Sequence, residues 1–496
     1  MSLAIVHSRA QYGMHAPAVT IEAHLSGGLP RFNIVGLAET AVKESQERVR
    51  SALLNTHFDF PDGRITINLA PANLPKEGTR FDLPIALGIL AASQQIPKNL
   101  LSDYEFAGEL ALSGDLRPVS GILPFALETK NANRQLIIPL QNANEAALIK
   151  ELAVFPARHI CNVCAHICNK KLIAQHPVQQ ISNNEYHLDM CDVRGQHQAR
   201  RALEIAAAGG HNLLLVGPPG TGKTMLASRL PSILPDMSDQ EALETAAIAS
   251  ISHTGFHIKN WKTRPFRSPH HSASHVALVG GGNPPKPGEI SLANHGVLFL
   301  DELPEFTRHV LEALREPLES GTITISRAAR QCEFPSHFQL IAAMNPCPCG
   351  YFGDTQQVCR CSPKQRGQYQ ARISGPFLDR IDMHINVSRF PIHLLTSQEN
   401  QPAENSHTIR QRVTATAHKQ LQRTDKLNAR LNQSELTKYC ALGKPEQDLI
   451  YQATQKLMLS ARRYHRILKV ARTIADLANS EDITTQHLAE AISFHR

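Results

Sequence analysis

Apolar positions divide the chain into regions of different secondary structure. Alternation at 65–69 and 136–138 predicts strands, and the unbroken apolar run 83–92 predicts a buried helix. Between 193 and 390, apolar runs alternate with glycine-rich turns and helix-like segments, a pattern typical of a parallel α/β sheet. Towards the C-terminus the apolar residues are three or four positions apart, which predicts helices. They are Leu449, Ala453, Leu457, Ala461, Ile467, Val470, Ile474 and Leu477.

Polar stretches separate these regions and suggest the domain boundaries. Residues 166–190 and the segment from 391 to about 405 lack apolar periodicity. We therefore expect an α/β domain at 1–165, a linker at 166–190, a nucleotide-binding core at 191–390 and a helical domain at 391–496. A length of 496 residues is sufficient for several domains that each bury a core.

Composition narrows the class of protein. Hydrophobic residues at 42% and charged residues at 19% are typical of a globular chain and exclude a largely disordered one. No apolar run approaches the roughly 18 residues of a membrane span. The N-terminal residues MSLAIVHSRAQYG lack the basic start and cleavage site of an export signal. We expect a cytoplasmic protein without a membrane partner, with its 10 cysteines reduced.

The segment 213–224, LLLVGPPGTGKT, has the pattern of a phosphate-binding loop between a strand and a helix. Glycines let backbone N–H groups surround a phosphate, Lys223 would reach the β- and γ-phosphates, and the Thr224 hydroxyl would bind Mg²⁺. A nucleoside triphosphate with Mg²⁺ is therefore the expected ligand. The predicted nucleotide-binding residues are Gly217, Pro218, Pro219, Gly220, Thr221, Gly222, Lys223 and Thr224.

Two further strand ends supply candidate catalytic groups. The run VLFLDE at 297–302 ends in Asp301, expected to bind Mg²⁺, and Glu302, expected to activate the attacking water. LIAAMNP at 340–346 ends in Asn345, whose amide could sense the γ-phosphate. An apolar strand that ends in acids also arises by chance, and Asn-Pro is a common turn.

A stretch without acidic residues, 245–288, is the candidate nucleic-acid surface. This stretch contains lysines and arginines around the single tryptophan of the chain. Such cations bind nucleic-acid phosphates with release of counterions, and an aromatic ring can stack on a base. The alternatives are a solvated enzyme surface and a buried structural insert. The candidate DNA-contacting residues in it are Lys259, Trp261, Lys262, Arg264 and Arg267.

Four cysteines in the loop 346–363 predict a metal site. Cys347, Cys349, Cys359 and Cys361 form two C-x-C pairs, and four thiolates among turn-forming residues suit a structural Zn²⁺. The alternative is free thiols, because C-x-C is tighter than the usual C-x-x-C. A second group could form a site or a helical face of apolar thiols. It contains Cys161, Cys164, His166 and Cys168, with Cys191 as a further ligand.

These motifs together resemble the magnesium-chelatase-like AAA+ ATPases, and within them the ComM (YifB) family. The resemblance is carried by the stretches 192–235, 264–282, 288–306, 372–382 and 460–477. It implies a ring, usually a hexamer, with nucleotide between subunits. It further implies Asn345 as sensor 1, Arg380 as the arginine finger, with Arg372 as a competing candidate, and Arg462 as sensor 2.

The resemblance also implies two elements that face the pore of the ring. The segment 245–288 corresponds to an insert in the second helix of this group. The segment 321–340, GTITISRAARQCEFPSHFQL, corresponds to the hairpin before sensor 1. Its Arg327 and Arg330 are the next candidate DNA contacts.

Residues 1–165 resemble the C-terminal domain of Lon proteases, which has a ribosomal-S5-domain-2-like fold. The overall fold class is thus α/β, with this Lon-like domain, an AAA+ parallel-sheet domain and a C-terminal helical lid. Where the Lon nucleophile would lie, the chain has Phe81, Asp82 and Leu83, and the expected lysine falls at 123–124. Protease chemistry is therefore excluded, and Asp82 with Lys76 is expected to be a solvated ion pair.

Two functions remain after the protease is excluded. The first is an ATP-driven DNA motor, for which the resemblance implies branch migration during recombination in natural transformation. The second is a chelatase-like or chaperone-like ATPase that remodels a protein partner. The basic insert favours the first.

Overall fold

The chain folds into two units. The computed structural model describes residues 2–177, 186, 188–327, 330–354, 356–389, 404–457 and 459–495. The first unit takes its residues from 1–183, 242–261 and 326–333, and the second from 184–241, 262–325 and 334–496. Two segments from the middle of the chain therefore belong with the N-terminal region.

A mixed sheet organises the first unit. Its strands are β1 (Ser2–Arg9), β2 (Ala18–Ser26), β3 (Arg31–Val35), β4 (Arg64–Ala70), β5 (Tyr104–Phe106), β6 (Glu109–Leu110), β7 (Leu116–Arg117), β8 (Gln135–Pro139) and β9 (Val154–Ala157). Seven of them form one sheet in the order β3-β4-β2-β1-β5-β8-β9, and β6 pairs with β7. The strands predicted at 65–69 and 136–138 are confirmed as β4 and β8.

Helices cover this sheet. They are α1 (Thr40–Lys43), α2 (Ser45–Asn55), α3 (Asp82–Ala92), α4 (Ile122–Asn131), α5 (Ala143–Ala146) and α6 (Ile160–Ile167). Every residue of α3 is buried, as expected for a helix that is apolar on all sides. It packs on β1 and β2, and the absence of a side chain at Gly88 leaves room for Ala23. The predicted buried helix is confirmed.

A buried carboxylate ties three elements of the first unit together. Both oxygens of Glu105 accept from the Arg9 guanidinium, at 2.6 and 2.8 Å. Arg134 adds a donor at 3.1 Å, and the Thr129 hydroxyl adds one at 2.6 Å. Glu105 is fully buried, so these donors replace its lost hydration.

Replacing Glu105 by alanine leaves the Arg9 guanidinium buried without a carboxylate. We expect the first unit to lose about 3–5 kcal/mol of stability. Trp261, the single tryptophan, packs against the apolar cluster of this unit, so its fluorescence during urea unfolding gives the measurement. The control is Glu151→Ala, which breaks an exposed 2.9 Å pair with Lys130 and should leave the curve unchanged. Equal shifts in the two variants would contradict the assignment.

A parallel sheet forms the centre of the second unit. The strands after residue 210 are β10 (Leu213–Val216), β11 (Phe266–Arg267), β12 (Gly280–Gly281), β13 (Lys286–Pro287), β14 (Val297–Leu300), β15 (Thr322–Arg327), β16 (Arg330–Pro335), β17 (Gln339–Met344) and β18 (Met383–Asn386). Five of them form a parallel sheet in the order β11-β14-β17-β10-β18. The strands β12 and β13 form a two-stranded sheet, as do β15 and β16.

Helices surround this sheet and fill the C-terminal part. They are α7 (His197–Gly209), α8 (Lys223–Ile233), α9 (Asp239–Ile251), α10 (His275–Val279), α11 (Glu289–Leu292), α12 (Arg308–Ala313), α13 (Arg315–Ser320), α14 (Pro363–Gln370), α15 (Gly375–Leu378), α16 (Ser406–Thr424), α17 (Gln433–Tyr439), α18 (Lys444–Leu457), α19 (Ala461–Leu477) and α20 (Thr485–Ser493). Leu215 and Phe299 of the sheet share one apolar cluster with Ile467 and Ile474 of α19. The C-terminal helices and the sheet therefore have a common core.

Three histidines lie between the C-terminal helices and the sheet. His211 Nε2 is 2.7 Å from the Thr473 hydroxyl, and the His384 amide donates to Phe494 O at 2.7 Å. Burial, with the nearby Arg466 guanidinium, lowers the pKa of His211 and of His384 to about 4. The same causes, with His384, lower the pKa of His495 to about 3.

The predicted linkers fall partly outside the described residues. Residues 178–185, 187 and 390–403 are not described. The described start of the first linker packs on the first unit: His166 lies 3.2 Å from the Tyr104 hydroxyl and accepts from the Ile173 amide at 3.0 Å. No helix among the described residues has the length and apolar character needed to cross a bilayer.

Candidate active site

The predicted phosphate-binding loop lies between β10 and α8, with a backbone that requires glycine. Gly220 and Gly222 have φ values of +76° and +81°, in the left-handed region. A side chain at Gly217 would lie 2.3 Å from Val387 O, the residue just after β18. The loop is therefore held close to the carboxyl end of the sheet.

Lys223 points back into this loop. Its Nζ donates to Gly217 O at 2.7 Å, to Pro218 O at 3.0 Å and to Asn345 Oδ1 at 3.1 Å. Burial lowers the pKa of Lys223, and the nearby Asp301 and Glu302 carboxylates oppose that shift. The Lys223 ammonium group thus donates to three oxygen atoms at the phosphate-binding loop, and a bound phosphate could accept hydrogen bonds from it at this position.

Thr224 and Asp301 meet as the sequence predicts. The Thr224 hydroxyl donates to Asp301 Oδ2 at 2.7 Å, and the Glu302 amide donates to Asp301 Oδ1 at 2.9 Å. A hydroxyl and a carboxylate are the hard oxygen ligands that Mg²⁺ prefers. These two residues fit a magnesium ion bound beside the phosphates.

Glu302 stands at the end of β14 in a strained backbone conformation. Its φ is +51°, and its side chain is 56% exposed. His271 Nδ1 lies 3.0 Å from Glu302 Oε2. The sequence did not identify His271 as a site residue, because no motif links the SPHHS segment to a strand end 30 positions away along the chain.

Asn345 follows β17 and faces the loop, as its contact with Lys223 shows. Tyr369, near the end of α14, is buried beside the Asn345 backbone. Burial and the Glu305 charge raise the pKa of Tyr369 to about 12, so the phenol stays protonated. Tyr369 is therefore a buried, neutral neighbour of the segment that carries Asn345.

The two candidate arginine fingers occupy different environments. Arg380 is 7% exposed, with its Nη2 at 2.6 Å from Glu319 and its Nη1 donating to Pro376 O. The side chain of Arg372 is 53% exposed and pairs with Glu305 at 2.9 Å. Both arginines therefore have carboxylate partners within this chain.

The predicted sensor 2 residue lies on the first turn of α19. Arg462 is exposed, and its neighbour Arg463 pairs with Asp379 at 3.5 Å. Asp379 immediately precedes Arg380 in the chain. The first turn of α19 is thus next to the segment that carries Arg380.

The acid-free segment 245–288 does not form one exposed basic loop. Arg267 is on the sheet strand β11, and Glu289 accepts from it twice at 2.6 Å. Arg264 donates to the backbone at Pro235 O and His295 O, at 2.6 and 2.7 Å. Lys262 pairs with Asp239 at 2.6 Å. These cations stabilise the unit internally.

The other end of the segment packs with the first unit. Trp261 is partly buried against an apolar cluster that includes Ala246 and Phe125. The Trp261 indole therefore contributes to apolar packing, as expected if this segment is a buried structural insert. Lys259 lies in the short 3₁₀ turn Ile258–Asn260 that precedes it.

The predicted hairpin is present as β15 and β16, joined at residues 328–329, which are not described. Arg327 and Arg330 are the strand residues that flank this tip, and their side chains also lie outside the description. The Tyr12 hydroxyl of the N-terminal region donates to Gln331 O at 3.3 Å. Both arginines remain candidates.

The expected solvated pair of Asp82 and Lys76 is wrong, because both side chains are buried. Asp82 pairs with Arg48 at 2.8 Å and accepts from the Ser45 hydroxyl. Lys76 donates to Pro71 O, and burial lowers its pKa. The two side chains therefore have separate buried partners and do not pair with each other in solvent.

The predicted four-cysteine group is assembled. The sulfurs of Cys347, Cys349, Cys359 and Cys361 all lie within 4.8 Å of one another. No other such metal-ligating group occurs among the described residues, so the second cysteine group does not form a site there. Cys164 is buried on α6, and burial raises the pKa of its thiol.

Comparisons with known proteins agree with this geometry. Three family models match: "Subunit ChlI of Mg-chelatase" over residues 21–142, "Magnesium chelatase, subunit ChlI" over 189–395, and its C-terminal model over 403–495. Competence protein ComM of Haemophilus influenzae is 53% identical over 499 residues, covering 100% of this chain and 97% of that protein. YifB of Escherichia coli is 51% identical with the same coverage. Lon protease 2 of Bacillus subtilis is 26% identical over 166 residues, 30% of this chain and 29% of that protein.

The parallel sheet, its phosphate-binding loop and the three family models define an AAA+ protein of the magnesium-chelatase type. Within that class, the chain belongs to the ComM/YifB family.

Lys223 and Glu302 should fail in different ways when they are replaced. Lys223→Ala removes charged hydrogen bonds to phosphate, so we expect ATP binding to weaken by about 10–100-fold. Glu302→Gln keeps the ground-state contacts and removes a proton acceptor, so ATP should still bind while turnover falls by about 10²–10⁴-fold. Fluorescent-nucleotide binding and phosphate release give the two measurements. Near wild-type turnover in Glu302→Gln would assign water activation to another residue.

Proposed function

We propose that this chain hydrolyses ATP and uses the energy to move DNA strands, as a branch-migration motor in recombination during natural transformation. The observation that supports ATP hydrolysis is the convergence of Lys223, Thr224, Asp301 and Glu302 at one sheet edge. The natural-transformation role is suggested by the Haemophilus influenzae relative, which bears the name competence protein.

The residues divide the reaction between binding and water activation. Lys223 would exchange its contacts with Gly217 O and Pro218 O for phosphate oxygens, alongside the backbone N–H groups of the loop. Thr224 and Asp301 would hold Mg²⁺, which neutralises charge on the phosphates.

The exposed Glu302 carboxylate would take a proton from the attacking water. His271, 3.0 Å away, would hold that carboxylate until the nucleotide is in place. Asn345 already reaches the same ammonium group as the phosphate would, so its amide would report whether the γ-phosphate is present. The residues proposed to bind the nucleotide, activate water and sense the γ-phosphate thus lie close together at one edge of the sheet.

A ring is the second part of the proposal, with six subunits as the family resemblance implies. A finger would have to leave its own carboxylate partner to reach a neighbour's nucleotide. For Arg380 that partner is Glu319, whose side chain is 57% exposed, and for Arg372 it is Glu305. The Arg372–Glu305 pair is exposed on both sides and is therefore weak. The Arg380 guanidinium is buried, so its release from Glu319 would require a phosphate that replaces the lost charge-assisted hydrogen bond.

Mixing inactive subunits identifies the finger. Arg380→Ala and Lys223→Ala subunits should each be inactive alone, the former because loss of an arginine finger lowers kcat by about 10³–10⁵-fold. A mixture should regain ATPase activity at those interfaces where an intact finger of one subunit meets an intact phosphate-binding loop of the next. The matched mixture uses Arg372→Ala with Lys223→Ala. Recovery confined to the Arg372 mixture, with Arg380→Ala rings active alone, would transfer the role to Arg372.

DNA contact is the third part, and the hairpin is the favoured element. The insert cations Lys262, Arg264 and Arg267 are engaged with acids or carbonyls of the same unit. Arg327 is the last residue of β15 and Arg330 the first of β16, and the family resemblance implies that this hairpin faces the pore of the ring. In the fully assembled protein we expect a cytoplasmic ring around DNA.

ATPase assays with four-way, forked and no DNA test the motor, and a matched pair of variants tests the contact. Arg327→Gln/Arg330→Gln should lower the slope of log K against log salt by about 1.4–1.8, the value for two lost phosphate contacts, and abolish stimulation by DNA. The charge-matched control Lys259→Gln/Lys262→Gln should keep both. If only the control variant lost salt dependence and stimulation by DNA, the DNA contact would be assigned to the insert 245–288 instead of the hairpin.

The alternative function is that of a magnesium-chelatase-like or chaperone-like ATPase that remodels a protein partner. All three matched family models bear the name magnesium chelatase, which suggests the chelatase-like form of this alternative. ATP turnover would then be unaffected by any DNA, and no variant would alter a salt slope. Unstimulated turnover with forked and four-way DNA would therefore support this alternative over the motor.

A further inference from the structure

Four cysteine sulfurs meet in the loop between β17 and α14. Cys347 Sγ lies 3.4 Å from Cys349 Sγ and 3.7 Å from Cys359 Sγ, and Cys349 and Cys359 are also 3.7 Å apart. Cys361 lies within 4.8 Å of all three. Cys347 is buried and the other three are partly exposed. The loop folds back over twelve residues to make this cluster.

These separations distinguish among the uses of four cysteines. A disulfide needs sulfurs about 2.05 Å apart, and all four cysteines are free. Four thiolates bound tetrahedrally at about 2.3 Å from one Zn²⁺ stand about 3.8 Å apart, close to the distances found here. An iron–sulfur cubane places its own iron and sulfide atoms between the thiolates and would spread them further.

We propose that Cys347, Cys349, Cys359 and Cys361 bind one structural Zn²⁺, and that this ion fixes the loop that packs on the phosphate-binding loop. All four coordinating positions are taken by protein sulfur, so the site is closed and not catalytic. The metal part of this proposal is independent of the proposed function, since it requires neither ATP nor DNA.

Gly350 makes the contact with the phosphate-binding loop. It lies between the two pairs of cysteines, and its amide donates to Cys347 O at 2.9 Å. Its φ is +86°, and a side chain there would lie 2.7 Å from Pro219 Cδ. The backbone of the cysteine loop therefore lies directly against Pro219.

The other end of the cluster leads into α14. Ser362, the residue after Cys361, caps this helix through its hydroxyl and the Gln365 amide. Near the end of the same helix, Tyr369 is buried beside the Asn345 backbone. A metal ion at the cluster would therefore fix both a neighbour of the phosphate-binding loop and the start of the helix that carries Tyr369.

Metal analysis of the full-length protein tests the site. Wild type purified without added metal should contain about one zinc per chain, and Cys349→Ser/Cys359→Ser about a tenth of that or less. The control Cys191→Ser removes an exposed cysteine outside the cluster and should keep the zinc. Zinc-free wild type, iron in place of zinc, or full zinc in the double variant would each overturn the proposal.

Cobalt substitution in wild type gives a measurement that does not depend on a variant folding. Co²⁺ at the site should show the ligand-field and thiolate charge-transfer bands of a tetrahedral four-sulfur site, and one equivalent of Zn²⁺ should bleach them. Bands of an octahedral ion, or none, would overturn the assignment.

Nucleotide binding tests the second half of the proposal. Gly350→Ala leaves every ligand in place but forces the loop away from Pro219, so zinc should stay while ATP affinity falls several-fold. Zinc-depleted wild type should show a similar loss. Unchanged ATP affinity in both would overturn the link to the phosphate-binding loop. Lys223→Ala should lose ATP and keep zinc, so a failure of the nucleotide site is distinguishable from a failure of the metal site.

Discussion

The parallel pairing of β10 with β17 on one side and β18 on the other determines where the chemistry of this protein can occur. The Gly217 amide donates to Met344 O at 3.2 Å, and the Val387 amide donates to Val216 O at 2.7 Å, so the strands end together. The phosphate-binding loop and Asn345 leave the sheet at the same edge for this reason. Asp301 reaches the same edge through the pairing of β14 with β17. Moving one strand by a residue would separate Lys223 from Asn345.

Elements with a strong local signal could be predicted from the sequence. A helix apolar on all sides, such as α3, has to be buried, and β10 and β14 are short apolar runs with polar residues at their ends. Their position at one sheet edge follows from the chain order of strands and loops in a parallel sheet. The contacts of Thr224 with Asp301 and of Lys223 with Asn345 are consequences of this rule.

Features that depend on distant partners could not be predicted in this way. The sequence of 245–288 contains no acid, yet Arg267 and Lys262 find theirs at Glu289 and Asp239, just beyond the segment. Counting charged residues within 245–288 alone therefore overestimates how many of its cations are available to bind an anionic partner. His271 reaches Glu302 only because the chain between β11 and β14 folds back on itself. Burial of Asp82 likewise depends on Arg48, a partner 34 residues earlier.

The buried histidines under the C-terminal helices make the core of the second unit sensitive to protons. His211, His384 and His495 are neutral in the folded chain, with pKa values of about 4, 4 and 3 against an ordinary 6.5. In the unfolded chain each histidine takes up a proton below about pH 6.5, so acid favours the unfolded state. For each histidine the loss of unfolding free energy is at most about 1.4 kcal/mol for every unit by which its folded pKa lies below 6.5. The contribution of these histidines to stability is therefore complete above pH 6.5 and declines as the pH falls towards 4. Mild acidification would therefore loosen the docking of α19 and α20 on the sheet without touching a nucleotide-binding residue.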